Sequence, residues 1–221
     1  MTVQDSRLDL ERRRRLGMVE AVWGEHKSED QIVSILQAMQ SAGELALVTR
    51  VDAEKAAAVR KRCPAVQIHG QSACLTLGEL PATGQPAQVA VLSGGTSDRR
   101  VAEEASLALR VHGVSSASFL DVGVAGLHRL LDVLPDLKTM SVLIACAGME
   151  GALPTVLAGL APQPVIGVPV SVGYGVSAGG RAALDGMLAS CAPGLSVVNI
   201  DNGYGAAMAA LRILKGSISQ D

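Results

Sequence analysis

Val89-Ala90-Val91-Leu92-Ser93-Gly94-Gly95-Thr96-Ser97-Asp98 is an apolar run that ends in two glycines, two hydroxyls and a carboxylate. An apolar run without alternation reads as a strand buried on both faces. The small polar cluster behind it reads as a turn into a helix, with Ser or Asp as the cap. The same grammar recurs downstream. Apolar runs at Ala117–Leu120, Val142–Ala147, Val165–Val170 and Leu195–Ile200 each lead into a glycine-containing turn and a helix-like segment, such as Val101–Val111 or Ala178–Ala189. Five such units predict an α/β fold with a doubly wound parallel sheet. A ligand would then lie beyond the carboxyl ends of the strands, where the glycine-rich turns fall.

Upstream the composition changes. Residues 1–85 hold 11 basic and 11 acidic side chains, against 8 and 10 in the longer span 86–221. Leu80–Pro86 reads as a linker at that change, because Pro and Gly interrupt helix and strand alike. The expected organisation is therefore a small charged α/β domain over 1–85 followed by a doubly wound domain over 86–221. Within the first, Ser28-Glu29-Asp30-Gln31 reads as a capping box ahead of Ile32, Ile35, Leu36 and Met39 at helical spacing. Leu45–Val51 reads as a strand and Ala53–Arg62 as a helix. The run Arg12–Arg15 stands among acids and reads first as a solvated face, with phosphate or acidic lipid as the alternative.

The totals close off several functions. The chain has 221 residues, 48% hydrophobic, a net charge of -2 and four aromatics: Trp23, Phe119, Tyr174 and Tyr204. A nucleic-acid binder usually shows a basic face and stacking rings, so that class is set aside. Cys63, Cys74, Cys146 and Cys191 include no CxxC pair, which argues against a zinc knuckle or disulfide framework. No apolar stretch is long enough to span a membrane, and no apolar segment follows the N-terminal arginines as in a secretory signal. A cytoplasmic protein is the expectation.

The turns carry the candidate chemistry. Gly95, Thr96, Ser97 and Asp98 open a helix, where backbone amides favour an anion. Asp121 ends a strand, with His128 and Arg129 on the helix that follows. Gly148 and Glu150 lie in the third turn. Among apolar neighbours the Glu150 carboxyl would rise in pKa and suit proton transfer, or the helix dipole alone would favour it there. Ser171, Gly173, Tyr174 and Gly175 belong to the longest glycine-rich turn. Cys146 reads as a buried thiol. Cys191 falls near a helix C-terminus, which does not activate a thiol, so a buried inert cysteine is its default reading. Asp201 could hold magnesium through water, on the weak evidence of one carboxylate.

These segments resemble the LarB family, the pyridinium-3,5-biscarboxylic acid mononucleotide synthases of nickel-pincer cofactor assembly. Gly95-Thr96-Ser97-Asp98, Val101–Ala105, Asp121–Gly126, Ser171-Val172-Gly173-Tyr174-Gly175, Ser190-Cys191-Ala192 and Ser196–Gly203 carry the resemblance. Gly24-Glu25-His26-Lys27 and Thr49-Arg50 extend it to the first domain. The 86–221 segment is also similar, more distantly, to aminoimidazole ribonucleotide carboxylases and mutases. The resemblance implies carboxylation of nicotinic acid adenine dinucleotide at carbon 5 of its pyridinium ring, with carbon dioxide as co-substrate, and hydrolysis of the phosphoanhydride to release AMP. It implies Cys191 as a nucleophile adding to carbon 4, Glu150 in proton transfer, and Ser97 and Asp98 at the ribose or phosphate. Asp121, His128 and Arg129 would be neighbours of that site. It further implies magnesium on the phosphates, with ligands unknown, and a homo-oligomer, octameric in the related carboxylases. A purine-pathway carboxylase or mutase is the rival enzyme. A non-catalytic nucleotide-binding module is the rival from another class.

Overall fold

The computed structural model describes residues 2–3, 6–83 and 86–218. The chain divides into two compact units, Met1–Ala82 with Val111–Gly113, and Thr83–Arg110 with Val114–Asp221. Gly84 and Gln85, at the centre of the expected linker and of the 85/86 boundary, lie outside the described residues.

The first unit runs β1 (Thr2–Val3), β2 (Ser6–Arg7), α1 (Arg12–Leu16), β3 (Ala21–Trp23), α2 (Glu29–Ser41), β4 (Ala46–Thr49), α3 (Ala53–Arg62), β5 (Gln67–His69) and β6 (Cys74–Leu77). Its main sheet has the order β3-β4-β6-β5. β3 and β4 are parallel, joined through α2, and the other pairs are antiparallel. The capping box forms: Ser28 Oγ accepts from the Gln31 amide, and Gln31 Oε1 accepts from the Ser28 amide. Ile32, Ile35, Leu36 and Met39 are then buried on one face of α2, as their spacing requires. The β5–β6 hairpin has no counterpart in the sequence reading. The arginine run forms α1, where Arg14 pairs with Glu11 and Arg15 with Asp9, both exposed. Acids of the same arm thus partner two of the four arginines, in keeping with a solvated face.

The second unit alternates strand and helix: β7 (Val89–Ser93), α4 (Arg99–Val111), β8 (Ser116–Phe119), α5 (Leu127–Leu137), β9 (Val142–Ala147), α6 (Ala152–Leu160), β10 (Val165–Pro169), α7 (Arg181–Leu188), β11 (Ser196–Val197) and α8 (Gly203–Ile218). The sheet order is β11-β10-β9-β7-β8, and every pair is parallel. The three central strands are buried along their whole length. Successive side chains point to opposite faces, so each strand feeds two cores. Ala90, Leu92, Leu143, Ala145 and Val165 pack with Leu130, Leu137, Leu153, Leu157 and Met187 of α5, α6 and α7. α8 lies against α4 so closely that a Cβ at Gly203 would overlap Val101 O.

The edge strands depart from expectation. β8 is only partly buried, and β11 keeps two residues of the six expected. An edge strand pairs on one side alone, so its apolar run is not held extended throughout. After the Val198 amide bonds Gly167 O, the chain turns instead, and the Asp201 amide bonds Pro169 O.

Candidate active site

The strand order reverses direction between β7 and β9: the chain leaves β7 for β8 on one side and returns to β9 on the other. Turns that leave a parallel sheet in opposite directions open a crevice at their carboxyl ends. A cavity of about 440 Å³ lies there, within the size range of small-molecule sites. Gly94, Gly95, Ser97 and Asp98 from β7, and Gly123, Val124, Ala125 and Arg129 from β8, form one part of the lining. Ala147–Glu150, Ala152 and Leu153 from β9, and Val172, Gly173 and Tyr174 from β10, form the rest.

Hydrogen bonds link the rim from turn to turn. The Asp121 amide donates to Ser93 Oγ at 3.2 Å and the Val122 amide to Ser93 O at 3.0 Å, fixing the β8 turn to β7. The Gly94 amide bonds Cys146 O at 2.9 Å. Asp98 bridges the switch point: Oδ2 accepts from the Gly95 amide at 2.8 Å and Oδ1 from the Gly148 amide at 3.1 Å. The Met149 amide reaches Val172 O at 3.2 Å, and Asp201 Oδ1 accepts from the Ser171 amide at 2.8 Å. Asp201, read from sequence as a magnesium candidate, is therefore engaged in holding a turn.

Three non-glycine residues of this rim sit in the left-handed region: Asp121 at φ 60°, Met149 at 52° and Asp201 at 54°. Each costs of order 1 kcal/mol or more and persists only where its surroundings over-determine it. The bonds just described supply that constraint. Several glycines serve the same end. A Cβ at Gly123 would overlap Gly94 O, and one at Gly148 would overlap Val172 O, so these turns pack backbone against backbone.

The electrostatics single out one carboxylate. Asp98 is 7% exposed. Burial pushes its carboxyl above the ordinary value of 3.8, the Gly95 and Gly148 amides pull it back, and the charge of Asp201 adds to the rise. Arg129, also in the lining, pairs with Asp121 Oδ2 at 2.6 Å. The cavity thus sets a desolvated carboxyl and a guanidinium around a small-residue floor. Such a site can hold an anionic ligand and exchange a proton with it.

Comparison with known families places this geometry. A LarB/PurE-like N-terminal domain model matches residues 2–79, and an AIR carboxylase model matches residues 88–220. The chain belongs to the LarB family. An uncharacterized protein of Methanocaldococcus jannaschii is 39% identical over 220 residues, 95% of this chain and 84% of that protein. N5-carboxyaminoimidazole ribonucleotide mutase of the same organism is 36% identical over 133 residues, 57% of this chain and 78% of that protein. The cavity lies wholly within the part of this LarB-family chain that matches AIR carboxylases.

Of the residues expected at the site, Gly95, Ser97, Asp98, Arg129, Gly148, Glu150, Gly173 and Tyr174 line the cavity together. Thr96, Asp121, His128, Ser171 and Gly175 lie in the same turns without lining it; His128 is exposed, and Asp121 acts on the cavity through Arg129. Two expectations are corrected. Glu150 is exposed and not desolvated as expected, so the desolvated carboxyl of the site is Asp98. Cys191 is exposed where a buried thiol was the default, while Cys63, Cys74 and Cys146 are buried. Burial pushes the Cys146 thiol far up, leaving it unreactive. Cys191 does not line the cavity: it follows α7 and precedes β11, which joins the sheet beside Ile166 at the start of β10. Gly94, Gly123, Met149 and Val172 also line the cavity but were not singled out as site residues from sequence, although each lies within two positions of one that was. Among the described residues no three His, Cys, Asp or Glu side chains converge to hold a metal ion.

Proposed function

We propose that this protein carboxylates the pyridinium ring of nicotinic acid adenine dinucleotide and hydrolyses its phosphoanhydride, yielding pyridinium-3,5-biscarboxylic acid mononucleotide and AMP for nickel-pincer cofactor assembly. The observation that carries the reading is the coincidence of a LarB-type N-terminal unit with an AIR carboxylase unit whose switch-point cavity presents Asp98, Arg129 and Glu150. A pyridinium ring is electron-poor and does not attack carbon dioxide by itself. Addition of the Cys191 thiolate at carbon 4 forms a C–S bond and moves a ring electron pair onto nitrogen. Carbon 5 is then enamine-like and attacks carbon dioxide, forming the C–C bond. A base takes the carbon 5 proton, the C–S bond breaks, and the thiolate leaves as aromaticity returns. Glu150 at the cavity mouth is assigned that proton. Asp98 and the small-residue turns hold the ribose phosphate, and Arg129 faces its charge. Water cleaves the phosphoanhydride.

In this scheme the Cys191 thiol is supplied to the cavity by a second copy of the chain, because it does not line the cavity of its own. The exposed apolar side chains of Val172, Tyr174, Val176 and Leu188 fit a surface that such a homo-oligomer covers. Mixing Cys191→Ser with Glu150→Gln tests the arrangement. Two inactive proteins should regain activity on reassembly together; no recovery after verified subunit exchange contradicts supply from a second copy. Cys191→Ser that retains ring carboxylation removes the thiol from the reaction altogether.

A further inference from the structure

The first unit holds a side-chain cluster that the cavity chemistry does not use. β3 and β4 are parallel neighbours, and the turns at their carboxyl ends, Gly24–Lys27 and Arg50, lie side by side. Trp23, the only tryptophan of the chain, is 51% exposed there. An exposed indole is ordinarily free to reorient, yet this one is fixed. Its Nε1–H donates to Glu25 Oε2 at 3.1 Å, and its ring meets His26 edge to face, centroids 4.8 Å apart. Arg50 Nη1 lies 3.6 Å from the same Glu25 oxygen.

The backbone beneath is equally constrained. Lys55 Nζ donates to Gly24 O at 3.1 Å and Glu25 O at 2.9 Å, and the Gly24 amide bonds Thr49 O at 2.9 Å. Arg50 occupies the left-handed region at φ 56°. A Cβ at Gly24 would come within 2.7 Å of Val51 Cγ2. Two turns are thus locked together to display an aromatic face, an imidazole, the Glu25 carboxylate and two cations, Lys27 and Arg50. Little of this serves a core. An ordered aromatic face with cations beside it, at the carboxyl ends of parallel strands and ahead of the capped N-terminus of α2, matches a planar base that carries a phosphate.

We propose that the first unit carries a second ligand site, in which the base of an adenylate stacks on Trp23 and its phosphate meets Lys27 and Arg50. The choice of adenine rests on the dinucleotide reading above, whose leaving half is AMP; the stacking and phosphate site itself does not. Stacking on a protein ring contributes on the order of 1–3 kcal/mol per base, so its removal weakens binding about 5- to 150-fold.

The 221-residue chain tests this directly, because its single tryptophan reports on the site. AMP added to the wild type should quench Trp23 fluorescence saturably, with GMP weaker, and with inorganic phosphate or adenosine weaker by about ten-fold or more. Lys27→Ala and His26→Ala, two variants outside the hydrophobic core, should each weaken AMP while leaving the circular dichroism unchanged. Trp23→Ala should weaken AMP by the stacking factor in equilibrium dialysis. Unchanged AMP affinity in all three variants overturns the site. So does AMP binding that is lost in Glu150→Ala but not in these variants, since it then belongs to the cavity. An altered subunit number in Trp23→Ala, together with no AMP effect in the wild type, also overturns it and makes the cluster an interface between copies. Failure here with ring carboxylation intact leaves the proposed function standing; AMP binding at Trp23 without carboxylation leaves the site standing and removes the function.

Discussion

Replacing Gly151 and Gly95, one at a time, by alanine separates two uses of glycine in the rim. Gly151 sits at φ 69°, where an L side chain costs about 1–2 kcal/mol. A Cβ there would lie 2.7 Å from Ala183 O and 2.9 Å from Ala183 Cα, both backbone atoms that cannot rotate away. Overpacking of that kind adds about 1–3 kcal/mol. The sum is about 2–5 kcal/mol, which at the urea sensitivity of a domain this size lowers the unfolding midpoint by about 1–2 M. Gly95 has extended backbone, φ -136°, and a Cβ there meets only Asp98 Oδ2 at 3.8 Å, an ordinary contact. Gly95→Ala should leave the urea midpoint unchanged or raise it slightly, because alanine restricts the unfolded chain. Its methyl would enter the cavity that Gly95 lines, so ligand affinity should fall while stability holds. The assay is urea unfolding followed by circular dichroism, paired with turnover of the dinucleotide. A Gly151→Ala protein as stable as the wild type refutes the packing of the β9 turn against α7. A Gly95→Ala protein with full activity refutes the placement of that turn at the ligand.

Three further outcomes are expected. A thiol reagent should modify one cysteine per chain in the native state, Cys191, and four after denaturation; more than one fast thiol would contradict the burial of Cys63, Cys74 and Cys146. Ser28→Ala removes an intact capping box and should destabilise the first unit by about 1 kcal/mol, read as a lower melting temperature, whereas no change would mean that α2 does not depend on its cap. The third concerns pH. Because burial raises the Asp98 carboxyl, the folded chain keeps a proton that the unfolded chain has lost, so ionised Asp98 costs stability above its folded pKa and the cost is relieved as pH falls toward 3.8. The urea midpoint of the wild type relative to Asp98→Asn should therefore rise as pH is lowered from neutrality; a relative fall would reverse the assigned shift.

The doubly wound sheet was legible because its central strands are buried on both faces, and burial on both faces leaves an unbroken apolar run. Val142–Ala147 is the clearest case: its sequence bounds and its strand bounds coincide. The edges were less legible for the complementary reason. Leu195–Ile200 carries Ser196 and Asn199 among four apolar residues, and only Ser196–Val197 pairs, at the edge of the sheet. The β5–β6 hairpin escaped because β5 is largely exposed and leaves no apolar run to read, while β6, although buried, is only four residues long.

The positions of the site turns followed from the strand periodicity, and eight of the expected residues share one cavity. What the sequence did not carry was which carboxyl is buried. Glu150 and Asp98 occupy similar turns after adjacent strands, yet only Asp98 folds back onto the amides of two turns, a contact that exists once β7 and β9 are paired. The role of the glycines was likewise incomplete. Several meet neighbouring backbone and hold the rim together, while a Cβ at Gly95 would make only an ordinary contact with Asp98 and leaves room for a ligand.

The central claim is tested by incubating the protein with nicotinic acid adenine dinucleotide and isotopically labelled bicarbonate, then separating the products by mass. The proposed reaction places label in a doubly carboxylated pyridinium mononucleotide and releases AMP in equal amount. Unlabelled ring product, or label appearing only when an aminoimidazole ribonucleotide is supplied instead, would contradict it.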